Sequence, residues 1–515
     1  MPHLIRQLSL PFAAFLFATC LPAQGPLGTI TGTVPQGQLG TCLREVGDVD
    51  GDGVRDFAAS EPGSNSNTAG AVRLYSGATR NLLQTFQGVL ATGMWGLGSK
   101  DVCVVGDVNG DGTTDFAAGY VNRGLLDVFS GATGARLYRM GPTLEYFQYA
   151  CCVGDRDADG RDDFAALVYV NSTVQLWTIK GNTGTQLSVI DAQPQEGLLR
   201  AVGDLDGDGS DEFVRVGYGT CDVYRMNPPA RLRRITLGSN AGDIGFADWN
   251  GDGRQDLVVQ YDVNQQPCVQ VFNLFTGAQL RSYTLTGVLA NSTPQGMAVL
   301  GDCDQDGTPD FALRVSADPI NAGTAHVAIF SGASGLRIGD WPGSPQFPAT
   351  GILQGLGDVN GDAFPDFVMA SPSYQSGGGL QVVSARTFAT MAVKPVNCYA
   401  GPFPPQLGMT RPVLGAVCTI AGRDAPAGTP CFLVLSPMPA VATNLGAPGC
   451  DAWFWIGAGA LLGQPTARPD WSLQVPVPNV RQLVGLEIAL QAYYVGTASP
   501  LGYDLTNGLW ARLGY

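Results

Sequence analysis

Residues 106–119 read GDVNGDGTTDFAAG, and the same phrase returns six more times along the chain. GDVDGDGVRDFAAS starts at Gly47, GDRDADGRDDFAAL at Gly154 and GDLDGDGSDEFVRV at Gly203. ADWNGDGRQDLVVQ starts at Ala247, GDCDQDGTPDFALR at Gly301 and GDVNGDAFPDFVMA at Gly357. Successive copies lie 44 to 59 residues apart. A fixed-period repeat marks an array of like units, none of which buries its apolar face alone.

Each copy sits in a similar frame. A short apolar run precedes it, as in Val102–Val105, and another follows, as in Phe116–Ala118. A third run ends in an aromatic residue near a turn: Tyr75-Ser76-Gly77, Phe129-Ser130-Gly131, Trp177 ahead of Gly181, and Phe330-Ser331-Gly332. A fourth follows, as in Leu82–Phe86. Four short strands per unit is the pattern of a β-propeller blade, and seven units is within the usual range. The expectation is an all-β chain with a seven-bladed propeller over residues 24–394. The recurring aromatics Tyr75, Phe129, Trp177, Tyr224, Phe272 and Phe330 are read as packing between blades.

The Asp-rich phrase places oxygen ligands at positions 1, 3, 5, 7 and 9 of a short loop. In the first copy these are Asp48, Asp50, Asp52, the carbonyl of Val54 and Asp56. The second offers Asp107, Asn109, Asp111, Thr113 and Asp115; the third Asp155, Asp157, Asp159, Arg161 and Asp163. The fourth offers Asp204, Asp206, Asp208, Ser210 and Glu212; the fifth Asp248, Asn250, Asp252, Arg254 and Asp256. The sixth offers Asp302, Asp304, Asp306, Thr308 and Asp310; the seventh Asp358, Asn360, Asp362, Phe364 and Asp366. Position 7 contributes its carbonyl throughout. A hard cation of Ca²⁺ size takes six to eight such oxygens, whereas Mg²⁺ keeps its waters. Up to seven Ca²⁺ ions are therefore expected. Glycine at position 6 permits the sharp turn, and Ala363 departs from that rule in the last loop. These are not EF-hands: no Glu stands at position 12, and a strand follows where a helix would.

Composition agrees. Glycine numbers 70 of 515 residues without a collagen period, and only 14% of residues are charged, which excludes a disordered chain and a coiled coil. The net charge of -15 argues against a nucleic-acid partner. More than half of the 44 acidic residues sit in the loops, where without cations they would repel one another. The two histidines, His3 and His326, leave no basis for a His-centred triad or a His-rich zinc site.

The loop Asp107–Asp115, with Ala59-Ser60-Glu61-Pro62 and Ala370-Ser371-Pro372, resembles the FG-GAP/VCBS repeat family, which includes the propeller of integrin α subunits. The resemblance covers roughly residues 40 to 394. It implies Ca²⁺ in the loop joining the first and second strands of each blade, bracing one face while ligands bind the other. Leu27–Val34 and Phe388–Val393 are rival candidates for the strand that closes the ring.

Residues 1–23 carry Arg6, an apolar Leu8–Phe17 and small residues before Ala23, and read as a secretory signal peptide. No other apolar stretch is long enough to span a bilayer, so no transmembrane segment is expected after cleavage. The expected location is secreted, extracellular or cell-surface. Export permits disulfides, and Cys398, Cys418, Cys431 and Cys450 crowd the C-terminal part. Cys103, Cys151 and Cys152 lie in apolar runs and read as small buried hydrophobes.

After Lys394 the Asp loops cease, and residues 395–515 read as a small β-sandwich-like domain with strands at Cys431–Leu435 and Leu486–Ala492. The leading functional expectation is a binding or adhesion protein that takes a protein or glycan ligand on the face opposite the calcium loops. Trp95, Tyr146, Phe147, Tyr149 and Trp341 are the expected exposed aromatics there. The alternatives are an extracellular polysaccharide-active lyase or hydrolase and a structural envelope component. No acid pair outside the metal loops stands out for glycosidic chemistry, and no catalytic residue is assigned.

Overall fold

The computed structural model describes residues 26–385 apart from short stretches, the longest being 286–295, 316–325 and 342–350, and beyond 385 the strands with adjoining residues. The signal peptide and the readings of Cys398 and Cys450 fall outside the described residues.

Seven four-stranded antiparallel sheets follow one another along residues 26–385. Blade 1 comprises Leu43–Gly47, Asp56–Glu61, Ala71–Tyr75 and Leu82–Gln87. Blades 2 to 6 repeat this order from Val102, Glu145, Leu198, Ala241 and Met297. Blade 7 takes Leu353–Gly357, Asp366–Ser371 and Gly379–Ser384, and its fourth strand is Gly28–Thr31 from the start of the chain. Gly28 lies opposite Val382 and Thr31 opposite Gly379. Leu39, Leu43, Phe57 and Tyr75 of blade 1 pack with Leu356, Val359, Val368 and Leu380 of blade 7, which closes the ring.

The second strand of a blade is covered on both sheet faces by its neighbours. Every residue of Asp56–Glu61 and of Asp366–Ser371 is buried, which is why these strands read as continuous small and apolar runs rather than alternating ones. The outer strand Thr185–Asp191, with one side facing water, is largely exposed. The residue after the last loop acid carries much of the packing: Phe57, Phe116, Phe164, Phe213, Leu257, Phe311 and Phe367 are at most 1% exposed. Opposite them stand Tyr75, Phe129, Tyr224, Phe272 and Phe330. In blade 3 that place belongs to Ile179, not Trp177. Trp177 lies two residues earlier and meets Phe147 edge-on, with ring centroids 6.3 Å apart.

The compact unit of the propeller ends at Ala385. Thr390–Val393 pairs with Leu509–Arg512 in the C-terminal region and so takes no part in closing the ring. That region contains a six-stranded sheet around Glu487–Val495 and a three-stranded sheet of Gln406–Met409, Val417–Arg423 and Trp471–Pro476. Leu407 and Ile420 of the smaller sheet pack with Leu433, Leu490, Tyr494 and Leu509 of the larger, the core of a sandwich. Gln491 is buried, and its Nε2 donates to the carbonyl of Thr506 at 2.8 Å. No described helix is long and apolar enough to cross a membrane.

Candidate metal centres

All seven Asp loops join the first strand of a blade to the second, with position 9 as the first residue of the second strand. The loops wrap around their position-1 aspartate. Its Oδ2 accepts the N–H of position 6 in every blade: Gly53, Gly112, Gly160, Gly209, Gly253, Gly307 and Ala363, at 2.7–3.0 Å. Position 5 in turn accepts the N–H of position 7, at 2.8 Å from Val54 to Asp52 and 3.0 Å from Phe364 to Asp362.

This wrapping needs left-handed backbone at two places. Position 6 is one; position 4 is the other, with Gly51, Gly110, Gly207, Gly251 and Gly361 at φ 75–80° and Ala158 at φ 60°. The double glycine of the repeat carries that signal, and the reading by oxygen spacing alone misses it. Ala363 holds φ 66° without being glycine. Left-handed backbone costs a residue with a Cβ about 1–2 kcal/mol, and the larger unfolded-state entropy of glycine cancels part of that. Ala363→Gly is therefore expected to stabilise the chain by about 0.5 kcal/mol, read as a higher denaturation midpoint at unchanged m-value.

Position 9 anchors the loop to the blade. Asp56, Asp115, Asp163, Glu212, Asp256, Asp310 and Asp366 are all 0% exposed. One oxygen of each accepts the N–H of position 2, from 2.6 Å at Leu205 to 3.0 Å at Trp249. The other oxygen accepts the N–H of a turn glycine in blades 1, 2, 3 and 6: Gly77, Gly131, Gly181 and Gly332, at 2.8–3.0 Å. These glycines also lie against a backbone carbonyl. A Cβ on Gly131 would stand 1.9 Å from the oxygen of Thr114. Gly131→Ala should force turn and loop apart and destabilise by about 1–3 kcal/mol, measurable by urea denaturation.

The carboxylates converge. Asp48, Asp50 and Asp56 each offer an oxygen within 4.8 Å of the others, as do Asp155, Asp157 and Asp163; Asp204, Asp206 and Glu212; and Asp302, Asp304 and Asp306. Loops 2, 5 and 7 have Asn109, Asn250 and Asn360 at position 3, so fewer acids meet there. Among the described residues of the Asp loops, two buried side-chain oxygens lack a hydrogen-bond partner: Oε1 of Glu212 and Oδ1 of Asn360. Both belong to the expected ligand set. In blade 4 the third and fourth strands are joined by the two-residue link Asn227-Pro228, so Met226 stands where blades 1, 2, 3 and 6 place the turn glycine. Buried oxygens without donors and several acids in one small loop suit a hard cation better than they suit water.

Burial shifts the anchors strongly. It raises Asp115 and Asp256 to about 6, Glu212 and Asp366 to about 7, and Asp310 to about 8, with neighbouring loop acids adding to the effect. Burial likewise raises Asp304 to about 7, helped by Asp306 and Asp302.

The opposite ends of the first strands carry different chemistry. Asp101 is 2% exposed and lies between Arg44 Nη2 at 2.5 Å and Arg200 Nη1 at 2.9 Å, a triad drawn from blades 1, 2 and 4. Cys103 and Cys151 nearby are buried thiols, as expected, with burial pushing Cys103 up to about 12. Cys152 is half-buried. Of the aromatics expected to be exposed at this end, Phe147 and Trp341 are each 4% exposed, because strand packing takes them inside. Trp95 and Tyr149 are half-buried, and the Tyr146 side chain is outside the described residues.

Residues 204–259 match the family model of the FG-GAP-like repeat, a span running from the loop of blade 4 through that of blade 5. No curated protein matches the chain. Similar solved structures include BBS1N in complex with ARL6DN, from a crystal soaked with lead. It shares 12% identity over 71% of this chain and 97% of that one, with a TM-score of 0.45. Another is the β-propeller domain of Cps50 (Swd1) of Myceliophteria thermophila, with 11% identity over 69% of this chain and 99% of that one and a TM-score of 0.45.

Proposed function

We propose that this chain, a seven-bladed β-propeller of which residues 204–259 match the FG-GAP-like repeat, is an exported binding protein whose Asp loops hold Ca²⁺ and whose opposite face takes a protein or glycan ligand. The residues that would hold each ion are those at positions 1, 3, 5, 7 and 9. Bound there, an ion would supply the positive charge that the clustered carboxylates lack and fix the loop against its blade. Its role is structural.

The observation that carries this reading is an asymmetry between the two ends of the blades. At one end, every first connection has the same nine-residue plan, with position 9 accepting the N–H of position 2 in all seven blades. At the other end, the connections differ from blade to blade. The second and third strands of blade 1 are separated by Pro62–Gly70, those of blade 2 by Tyr120–Leu125, and those of blade 3 only by Asn171 and Ser172. Repetition suits a common brace, and individuality suits recognition of one partner.

The test is a glycan array and surface cross-linking with the purified chain in millimolar Ca²⁺, followed by Trp95→Ala and Tyr149→Ala. Loss of more than tenfold in affinity at an unchanged melting midpoint is the expected result. Unaltered binding by both variants would move the ligand elsewhere. Release of sugar products from the array would replace the binding reading by the enzymatic one.

A further inference from the structure

In blades 2, 3, 5, 6 and 7 the residue that opens the turn after the third strand bonds by its side chain to the Asp loop. Its position is fixed by register, directly after the residue that pairs with the second-strand Phe or Leu. The residue is Ser76, Ser130, Lys180, Arg225, Asn273, Ser331 and Ser384 in blades 1 to 7. Where the residue is Ser or Asn, it donates to the position-5 carboxylate in four blades: Ser130 to Asp111 at 3.2 Å, Asn273 to Asp252 at 3.2 Å, Ser331 to Asp306 at 3.3 Å and Ser384 to Asp362 at 3.3 Å.

Blade 3 differs. Lys180 Nζ lies between the carboxylates of positions 3 and 5, bonded to Asp157 Oδ2 and 2.8 Å from Asp159 Oδ2. Asn182 Nδ2 donates to the same Asp159 oxygen at 2.6 Å. Arg225, at this register in blade 4, forms no ion pair with its loop among the described residues.

We propose that Lys180 is a built-in counter-cation that stands in for the divalent ion of blade 3. The inference rests on the reading that the other Asp loops bind Ca²⁺. An ammonium brings three donors and one charge on a tether. A calcium ion would need both occupied carboxylates as ligands and must evict it. Blade 3 thus keeps its loop closed without calcium, while the other six blades depend on the ion.

The experiment counts ions by equilibrium dialysis with metal analysis on wild type, Lys180→Ser, Lys180→Met and Lys180→Arg at one saturating free Ca²⁺ concentration. The Ser and Met variants should each bind one more Ca²⁺ per chain than wild type, and the Arg variant the wild-type number. In EDTA the Ser and Met variants should melt below wild type, because the loop has lost the ammonium between its carboxylates; in Ca²⁺ that difference should close. An equal count in all four proteins would overturn the proposal. Should no protein bind Ca²⁺, the calcium reading itself falls, and the EDTA midpoints alone judge the lysine: no drop on charge removal rejects it.

Discussion

Stripping the purified chain with excess EDTA is expected to lower its thermal midpoint by roughly 10 °C or more relative to millimolar Ca²⁺. Ions that bind the folded chain alone stabilise it by mass action, about 2.7 kcal/mol for each site at 100 times its dissociation constant. Several sites act together here, one in each loop except that of blade 3, and the loops lead into strands buried between neighbouring blades. The cost of leaving them empty is visible in the geometry. Asp302, Asp304 and Asp306 bring three carboxylate oxygens within 4.8 Å of one another. Glu212 Oε1 and Asn360 Oδ1 stay buried without a donor.

The second large effect is a reversal of the pH dependence of stability. In EDTA the buried anchors titrate high, Asp115 at about 6, Glu212 and Asp366 at about 7 and Asp310 at about 8, because burial disfavours their charged form. In the unfolded chain the same groups titrate near 3.8 for Asp and 4.5 for Glu. Between these values the folded state holds protons that the unfolded chain releases, so the contribution is present at low pH and is lost as pH rises through 6 to 8. A tenfold difference in proton affinity between the folded and unfolded chain is worth about 1.4 kcal/mol, and several such groups acting together make a steep slope. In saturating Ca²⁺ the ionised form is the ligand, and acidification expels the ion. The midpoint should then rise from pH 5 to pH 8 where in EDTA it falls. Parallel slopes in both conditions would mean that the anchors never ligate metal.

The loops are legible in the sequence because ligand chemistry dictates residue type at fixed spacing, and seven copies in register leave little room for chance. Position 9 reads as a ligand, yet its hydrogen bonds to the N–H of positions such as Val49 and Gly77 show that it also ties the loop to the turn. That link joins residues 16 to 22 positions apart, which spacing within the loop does not contain. The closing strand is undecidable from sequence for a similar reason. Leu27–Val34 and Phe388–Val393 both offer apolar residues, and only pairing partners separate them: Gly379–Ser384 for one strand, Leu509–Arg512 for the other. Phe147 and Trp341 read wrongly as loop aromatics because the strands Glu145–Gly154 and Arg337–Trp341 extend further than the apolar pattern indicates. Nothing in the spacing of the Asp loops singles out Lys180; the pairing of Phe164 with Ile179 places it over the loop.

The central claim is that the Asp loops hold divalent cations. Titration of Ca²⁺ into the chelator-stripped chain, followed by calorimetry at neutral pH, tests it most directly. Saturable binding of several ions per chain is expected, with proton release as the raised carboxyl groups ionise. A flat titration up to millimolar Ca²⁺ would contradict the claim.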